Sequence, residues 1–299
     1  MNNIKNKFSI KDLENLTGIK AHTIRIWEKR YNLLSPKRTD TNIRYYDLAG
    51  FQKLLNVSYL NNNGYKISKI ATLDEHKIPI LVREIASQSN IESHAINSFK
   101  LAMLNFDQVL FYNTYESLLK EKSFREVFYD IFIPLLTEIG LLWQTDTITP
   151  AHEHFLTVLI RQKILVNTEM IQSKKINKST KTFVLYLPDN EIHELGLMFI
   201  NYEIIAKGYH CIFLGQSVPL SSLTDLLNYY DDIVFVSYFT TKPIKEEIEG
   251  YLSDFKKTIL DQSDAKFWIL GRMLSALDTE KLPKNIVPYT SIKKLVETI

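Results

Sequence analysis

The sequence predicts an α plus α/β multidomain protein, with a basic helical head, a central helical bundle and a C-terminal doubly wound parallel sheet. Three observations predict it. Short helical patterns broken by Gly18, Pro36, Asn42 and Gly64 fill residues 1–76. An apolar stretch with few Gly and Pro follows over 77–176. Short apolar runs then alternate with helical segments over 181–299. The polar run Ser-Lys-Lys-Ile-Asn-Lys-Ser-Thr-Lys at 173–181 reads as the linker into that last part.

At 299 residues the chain exceeds what a single core usually supports, which favours several domains. Its 45% hydrophobic and 23% charged residues suit a soluble protein, and no apolar stretch approaches the ~20 residues of a membrane span. Residues 1–7 are polar and lysine-rich, with no apolar signal core behind them. Cys211 is the single cysteine, which excludes an intrachain disulfide or a thiolate metal cluster and points to a reducing cytoplasm. The charge of +2 is unevenly spread. Residues 1–75 hold 13 Lys/Arg against 7 Asp/Glu, a net +6, which leaves −4 for the rest. A basic head on a mildly acidic body fits a nucleic-acid-binding module with an effector domain.

In the head, Ser9 stands as a cap ahead of Asp12, where the first helix begins. Thr17-Gly18-Ile19 makes a tight turn into a second helix over 20–30, which presents Thr23, Arg25 and Lys29. This is helix-turn-helix spacing, and such a helix fits the major groove, where Arg reaches guanine edges or phosphates. Pro36, Lys37 and Arg38 then precede Ile43-Arg44-Tyr45-Tyr46, a short basic loop and arm with the shape of a wing.

The run Thr23-Ile24-Arg25-Ile26-Trp27-Glu28-Lys29-Arg30-Tyr31, then Pro36 and Arg38, then Arg44-Tyr45-Tyr46, resembles the winged helix-turn-helix head of MerR-type regulators over roughly residues 8–75. The resemblance implies a double-stranded operator as partner, with base or phosphate contacts from Arg25, Arg38, Arg44 and Tyr45. No sustained heptad pattern follows residue 75, so homo-oligomer formation is assigned to the body.

In the central zone Ile96, Phe99, Leu101, Met103 and Leu104 have helical spacing, and further helical stretches cover 109–119, 124–142 and 151–170. They read as a bundle of four or five helices. In the C-terminal part, strand-type runs occupy 183–187, 210–215, 232–237 and 267–271, with a possible fifth at 286–289. Helical segments occupy 195–207, 220–229, 244–260 and 291–298. Ligands of such sheets bind at the carboxyl ends of the strands. Those ends carry Glu191-Ile192-His193-Glu194-Leu195-Gly196, then residues 215–219, Ser237 and Gly271.

Glu191 to Gly196 resembles the Asp-x-His-x-x-Gly signature of flavodoxin-like cobalamin-binding domains, with Glu in place of Asp. Ser237 and Gly271 stand at the family's later positions. The resemblance implies His193 as the axial ligand of cobalt, Glu191 as the carboxylate that fixes its tautomer, and Gly196 as a point of close approach to the macrocycle. Trp143, with Glu153 and His154 on the next helix, resembles the helical cap of the CarH/LitR type of cobalamin-dependent regulator. Two positions depart from the pattern. An expected Gly-Gly is Gly271-Arg272, whose arginine points outward, pairs with the nucleotide tail or blocks it. Light-sensing members carry His after the cap Trp, where this chain has Gln144.

The resemblance therefore implies a cytoplasmic DNA-binding regulator, not an enzyme, controlled by adenosyl- or methylcobalamin held between cap and sheet. One alternative is a regulator whose degenerate cobalamin domain acts through protein assembly. Another is a module of a cobalamin-dependent methyltransferase, a chemistry whose substrate-activating modules do not fit in this length.

Overall fold

The computed structural model describes residues 7–86, 91–144, 147–172 and 181–299, in two compact units, Met1–Val158 and Leu159–Ile299. In the first unit, α1 (Ile10–Thr17) opens with a reciprocal cap. Ser9 Oγ accepts from the Asp12 amide at 3.1 Å, and the Asp12 carboxylate accepts from the Ser9 amide at 2.8 Å. Gly18, at φ 75°, ends the helix in the left-handed region that an L side chain disfavours. Then come α2 (Ala21–Tyr31), the antiparallel pair β1 (Lys37–Arg38) and β2 (Arg44–Tyr45), and α3 (Leu48–Asn62). Phe8 pairs with Tyr46 through backbone hydrogen bonds and stacks on Phe51 at 5.2 Å, which closes a core with Leu13, Leu16, Ile24, Trp27 and Leu54.

A single turn, α4 (Ile67–Ile70), leads to α5 (Lys77–Ala86), which packs on α3. The bundle begins with α6 (Ile91–Asn105) and α7 (Gln108–Leu119). Next comes a helix in two parts, α8 (Phe124–Val127) and α9 (Ile133–Gln144), joined by a π-turn over Phe128–Phe132. Phe99 contacts Phe111 at 4.9 Å and Phe132 at 5.5 Å, so aromatic rings tie α6 and α7 to that turn. The start of α10 (Pro150–Gln172) joins them through Phe155, edge-on to Phe106 at 5.4 Å. The two counts left open by the sequence differ by α5, a helix that packs on the head's α3.

The second unit is a five-stranded parallel sheet in the order β4-β3-β5-β6-β7. Its strands are β3 (Thr182–Tyr186), β4 (His210–Gly215), β5 (Ile233–Tyr238), β6 (Lys266–Leu270) and β7 (Ile286–Tyr289). The helices α11 (Leu195–Ala206) and α12 (Ile248–Phe255) lie in the connections between strands, and α13 (Ile292–Thr298) follows β7. β3 is buried along its whole length, as its uninterrupted apolar run requires. Because β4 lies on one side of β3 and β5 on the other, the strand order reverses between β3 and β5.

Two expectations need correction. The segment expected as a helix at 220–229 is a run of 3-10 turns over Leu220–Asn228, in which Thr224 Oγ1 bonds the Ser221 carbonyl and competes with a regular ladder. The helix expected at 244–260 begins only at Ile248. Residues 244–247 form a turn in which the Glu247 carboxylate accepts from the Ile244 amide at 3.2 Å.

Candidate functional sites in the head and at the sheet edge

On α2, Arg25 and Lys29 are exposed and Thr23 is half-buried, its hydroxyl 3.3 Å from His22 Nε2. The opposite side of the helix is fixed from within. Ile24 and Trp27 are buried, and the buried Tyr46 hydroxyl donates to the Glu28 carboxylate, so β2 holds α2 in place. Burial, together with that bond, pushes the Tyr46 phenol far up. On the wing, Arg38 Nη1 donates to Asn42 Oδ1 at 2.7 Å, and Lys37 pairs with Asp47 at 2.8 Å. Arg25, Arg38 and Arg44 line one groove of about 350 Å³ with Ser9, Ile10, Asn42 and Ile43. Three arginines, from α2 and both wing strands, thus line one groove. Tyr45 is half-buried beside them, with Lys7 Nζ 5.0 Å from its ring centre.

The second site lies at the carboxyl edge of the sheet, where the loops after β3 and β5 meet. Glu191 is fully buried at the reversal point. Its Oε2 accepts from three successive amides of the β5 loop, Thr240 at 3.0 Å, Thr241 at 2.6 Å and Lys242 at 2.8 Å. Its Oε1 accepts from the amides of Ile192 at 2.9 Å and His193 at 3.0 Å, and lies 2.6 Å from His193 Nδ1. Burial alone raises this carboxyl, but the bonds from the His193 ring and the Thr241 and Lys242 amides outweigh it and hold it at about 2. The His193 side chain is 45% exposed. The contact between its Nδ1 and the Glu191 carboxylate fixes the orientation of the ring.

The glycines and the serine of this edge are engaged within the protein. Ser237 is buried, and its hydroxyl donates to the Tyr186 carbonyl at 2.9 Å. A Cβ on Gly271, at φ 121°, would stand 2.3 Å from the Phe239 carbonyl oxygen. There the Phe239 amide donates to the Leu270 carbonyl and the Met273 amide to the Phe239 carbonyl, which stitches the ends of β5 and β6 together. A Cβ on Gly196 would stand 2.7 Å from the Tyr238 ring. Arg272 is exposed.

Family models match the head and the helical bundle. Residues 8–77 match the MerR HTH family regulatory protein, and residues 95–166 match the B12 binding domain, a span that takes in Trp143, Glu153 and His154. The chain joins a MerR-type head to a B12-binding domain. It is 26% identical over 214 residues to the HTH-type transcriptional repressor CarH of Myxococcus xanthus, covering 70% of each chain. To the repressor CarA of the same organism it is 23% identical over 249 residues, covering 82% of this chain and 81% of that one. The fold also matches the monomethylamine corrinoid protein of Methanosarcina barkeri, with a TM-score of 0.56, 12% identity, and coverage of 69% of this chain and 97% of that one.

Within the matched helical span, Glu153 is half-buried and its carboxylate lies 3.9 Å from Nε2 of the exposed His154. His152 turns inward, with Nδ1 2.8 Å from the Thr149 hydroxyl and its ring stacked on Phe106 at 4.8 Å. Trp143 and Gln144 close α9, and their side chains lie outside the described residues. Among the described residues no helix is long and apolar enough to cross a membrane.

The donor set fits cobalt. A partly exposed imidazole is held in one tautomer by a buried carboxylate that is itself fixed by backbone amides. Sequence reasoning missed Thr240, Thr241, Lys242 and Tyr238. The signal available for the first three was the length of the glutamate: one methylene more than aspartate lets this carboxylate serve a second loop as well as the histidine.

Proposed function

We propose that this chain is a transcription regulator whose binding to a DNA operator is controlled by cobalamin. The observation that carries this reading is the Glu191–His193 pair at the sheet reversal, in a chain whose head gathers Arg25, Arg38 and Arg44 in one groove. Arg25 and Lys29 on α2 serve the major groove, while Arg38, Arg44 and Tyr45 hold the flanking backbone. When bound, cobalamin supplies a cobalt centre with an exchangeable upper group, adenosyl or methyl. His193 would be the residue that holds the cobalt, with Glu191 setting its tautomer and Gly196, Ser237 and Gly271 shaping the loops around it. Trp143, Glu153 and His154, in the span that matches the B12 binding domain, would also take part in holding it. Two copies of the body bring two heads to a palindromic site, in the cytoplasm, without catalysis. The internal engagement of Gly196 and Gly271 favours a second reading, in which the body works without a corrinoid through protein assembly.

A spectral titration separates the two. Methylcobalamin added in the dark to the wild-type protein is expected to give a spectrum with the lower base replaced by imidazole, and His193→Ala is expected to lose it. Identical spectra in the two proteins contradict the ligand assignment, and no binding to either supports assembly alone.

A further inference from the structure

A cobalt ion has one lower axial position. If His193 takes it, the benzimidazole that cobalamin carries on its own nucleotide tail must leave and find a berth within the tail's reach. Two glycines of this edge, Gly196 and Gly271, stand where a Cβ would not fit. The space beside each is filled differently. At Gly271 the space is taken by the Phe239 backbone, with atoms 2.3–2.7 Å from an ideal Cβ, and that backbone is pinned by hydrogen bonds to Leu270 and Met273. It cannot move without breaking the β5–β6 pairing. At Gly196, three residues after His193 in the first turn of α11, the space is taken by the Tyr238 ring, whose atoms lie 2.7–3.2 Å from an ideal Cβ. A side chain at the end of a strand leaves by rotation about χ1 and χ2, with no ladder bond lost.

We propose that Tyr238 is a displaceable plug that closes the berth for the nucleotide base, and that it sets the chain's preference between corrinoids with and without that base. This rests on the cobalamin reading above. Arg272, the residue that sequence comparison made suspect at this edge, is exposed. Tyr238 is the side chain in contact with the motif glycine. The cost of moving it falls on adenosylcobalamin and is absent for adenosylcobinamide, which has the same macrocycle and upper group but lacks the nucleotide.

The test measures the affinity of both corrinoids, in the dark, for wild type, Tyr238→Phe, Tyr238→Leu and Tyr238→Ala. The ratio of the two dissociation constants within one protein already contains the cost of detaching the base from cobalt, which is common to all four proteins. Comparing ratios between proteins therefore isolates the berth. The cobalamin-to-cobinamide ratio is expected to fall about tenfold in Tyr238→Leu or Tyr238→Ala, a change of ~1.4 kcal/mol, and to stay within about twofold in Tyr238→Phe. The leucine variant keeps most of the apolar volume if the alanine variant does not fold. Equal ratios in all four proteins overturn the plug while leaving the cobalamin reading intact. A fall in Tyr238→Phe equal to that in Tyr238→Ala overturns it as well, because the hydroxyl and not the ring is then responsible. Failure of every protein to bind either corrinoid overturns this inference together with the reading beneath it.

Discussion

The head and the sheet edge use their motif residues in opposite ways. In the head, the side chains proposed to meet DNA and those that hold the fold are separate: Arg25, Lys29, Arg38 and Arg44 are exposed, while Ile24, Trp27 and Tyr46 are buried. At the sheet edge one residue does both. Glu191 orients His193 and also ties down the loop at 240–242, Ser237 bonds the neighbouring strand, and Gly271 is demanded by the Phe239 backbone. A substitution in the head can therefore remove function and leave the fold, whereas one at the sheet edge disturbs both together.

The largest effect expected from this contrast is at Glu191. Glu191→Ala leaves the partly buried amides of Thr240, Thr241 and Lys242 without their acceptor, and at about 1–3 kcal/mol for each unmet group the second unit should lose about 3 kcal/mol or more. Urea unfolding followed by circular dichroism measures it, and a loss below about 1 kcal/mol would show that water replaces the carboxylate. The same residue sets a pH dependence. Its folded value, about 2, lies below the ordinary carboxyl value of 4.5, so its stabilisation is complete above 4.5 and disappears as pH falls from 4.5 towards 2. Melting temperatures across that window should fall more steeply for wild type than for Glu191→Gln, which has no proton to gain. Parallel curves would remove Glu191 from the account of acid stability.

The head should behave in the reverse manner. Arg25→Ala is expected to cost about 1–3 kcal/mol of operator affinity if it reads a base edge, with an unchanged unfolding curve. Arg38→Ala and Arg44→Ala should weaken binding evenly across sequences and lower the salt slope by about 1 each, as lost phosphate contacts do. Mobility-shift titrations at several salt concentrations test all three. A head in which Arg25→Ala also unfolded would erase the separation drawn here.

The smallest expected effect is Ser237→Ala. It removes one buried hydroxyl bond to the Tyr186 carbonyl, worth about 0.5–1.5 kcal/mol. Cobalamin affinity should follow only that modest loss, because the hydroxyl serves the sheet. A loss of corrinoid affinity far exceeding the loss of stability would return Ser237 to the ligand site.

The same contrast explains what the sequence made legible. The head could be read from spacing because its contacts are local: Ser9 with Asp12, Gly18 in its turn, and Arg25 and Lys29 four residues apart on one helix. The five parallel strands were legible as apolar runs, including 286–289, since burial on both faces leaves a plain signal. Where Ser and Thr side chains compete for backbone bonds, at 220–228, the pattern of apolar residues could not tell 3-10 turns from an α-helix. At the sheet edge, the pairing of Glu191 with His193 was legible because they stand two positions apart. The hold of Glu191 on Thr240–Lys242 and the contact of Tyr238 with Gly196 were not, since they join segments more than 40 residues apart and depend on strand order. Arg272 drew attention because it breaks a pattern, yet the side chain that meets the motif glycine is the unremarkable Tyr238.

The most direct test of the whole account couples the two sites. DNA selected by the purified protein from a random pool is titrated with wild type and with His193→Ala, in the dark, with and without adenosylcobalamin. Wild type should change its affinity for this DNA at least tenfold when the corrinoid is added, while His193→Ala should bind the DNA alike in both conditions. A DNA affinity in wild type that ignores the corrinoid, despite spectroscopic evidence of binding through His193, would contradict the claim that the sheet edge controls the head.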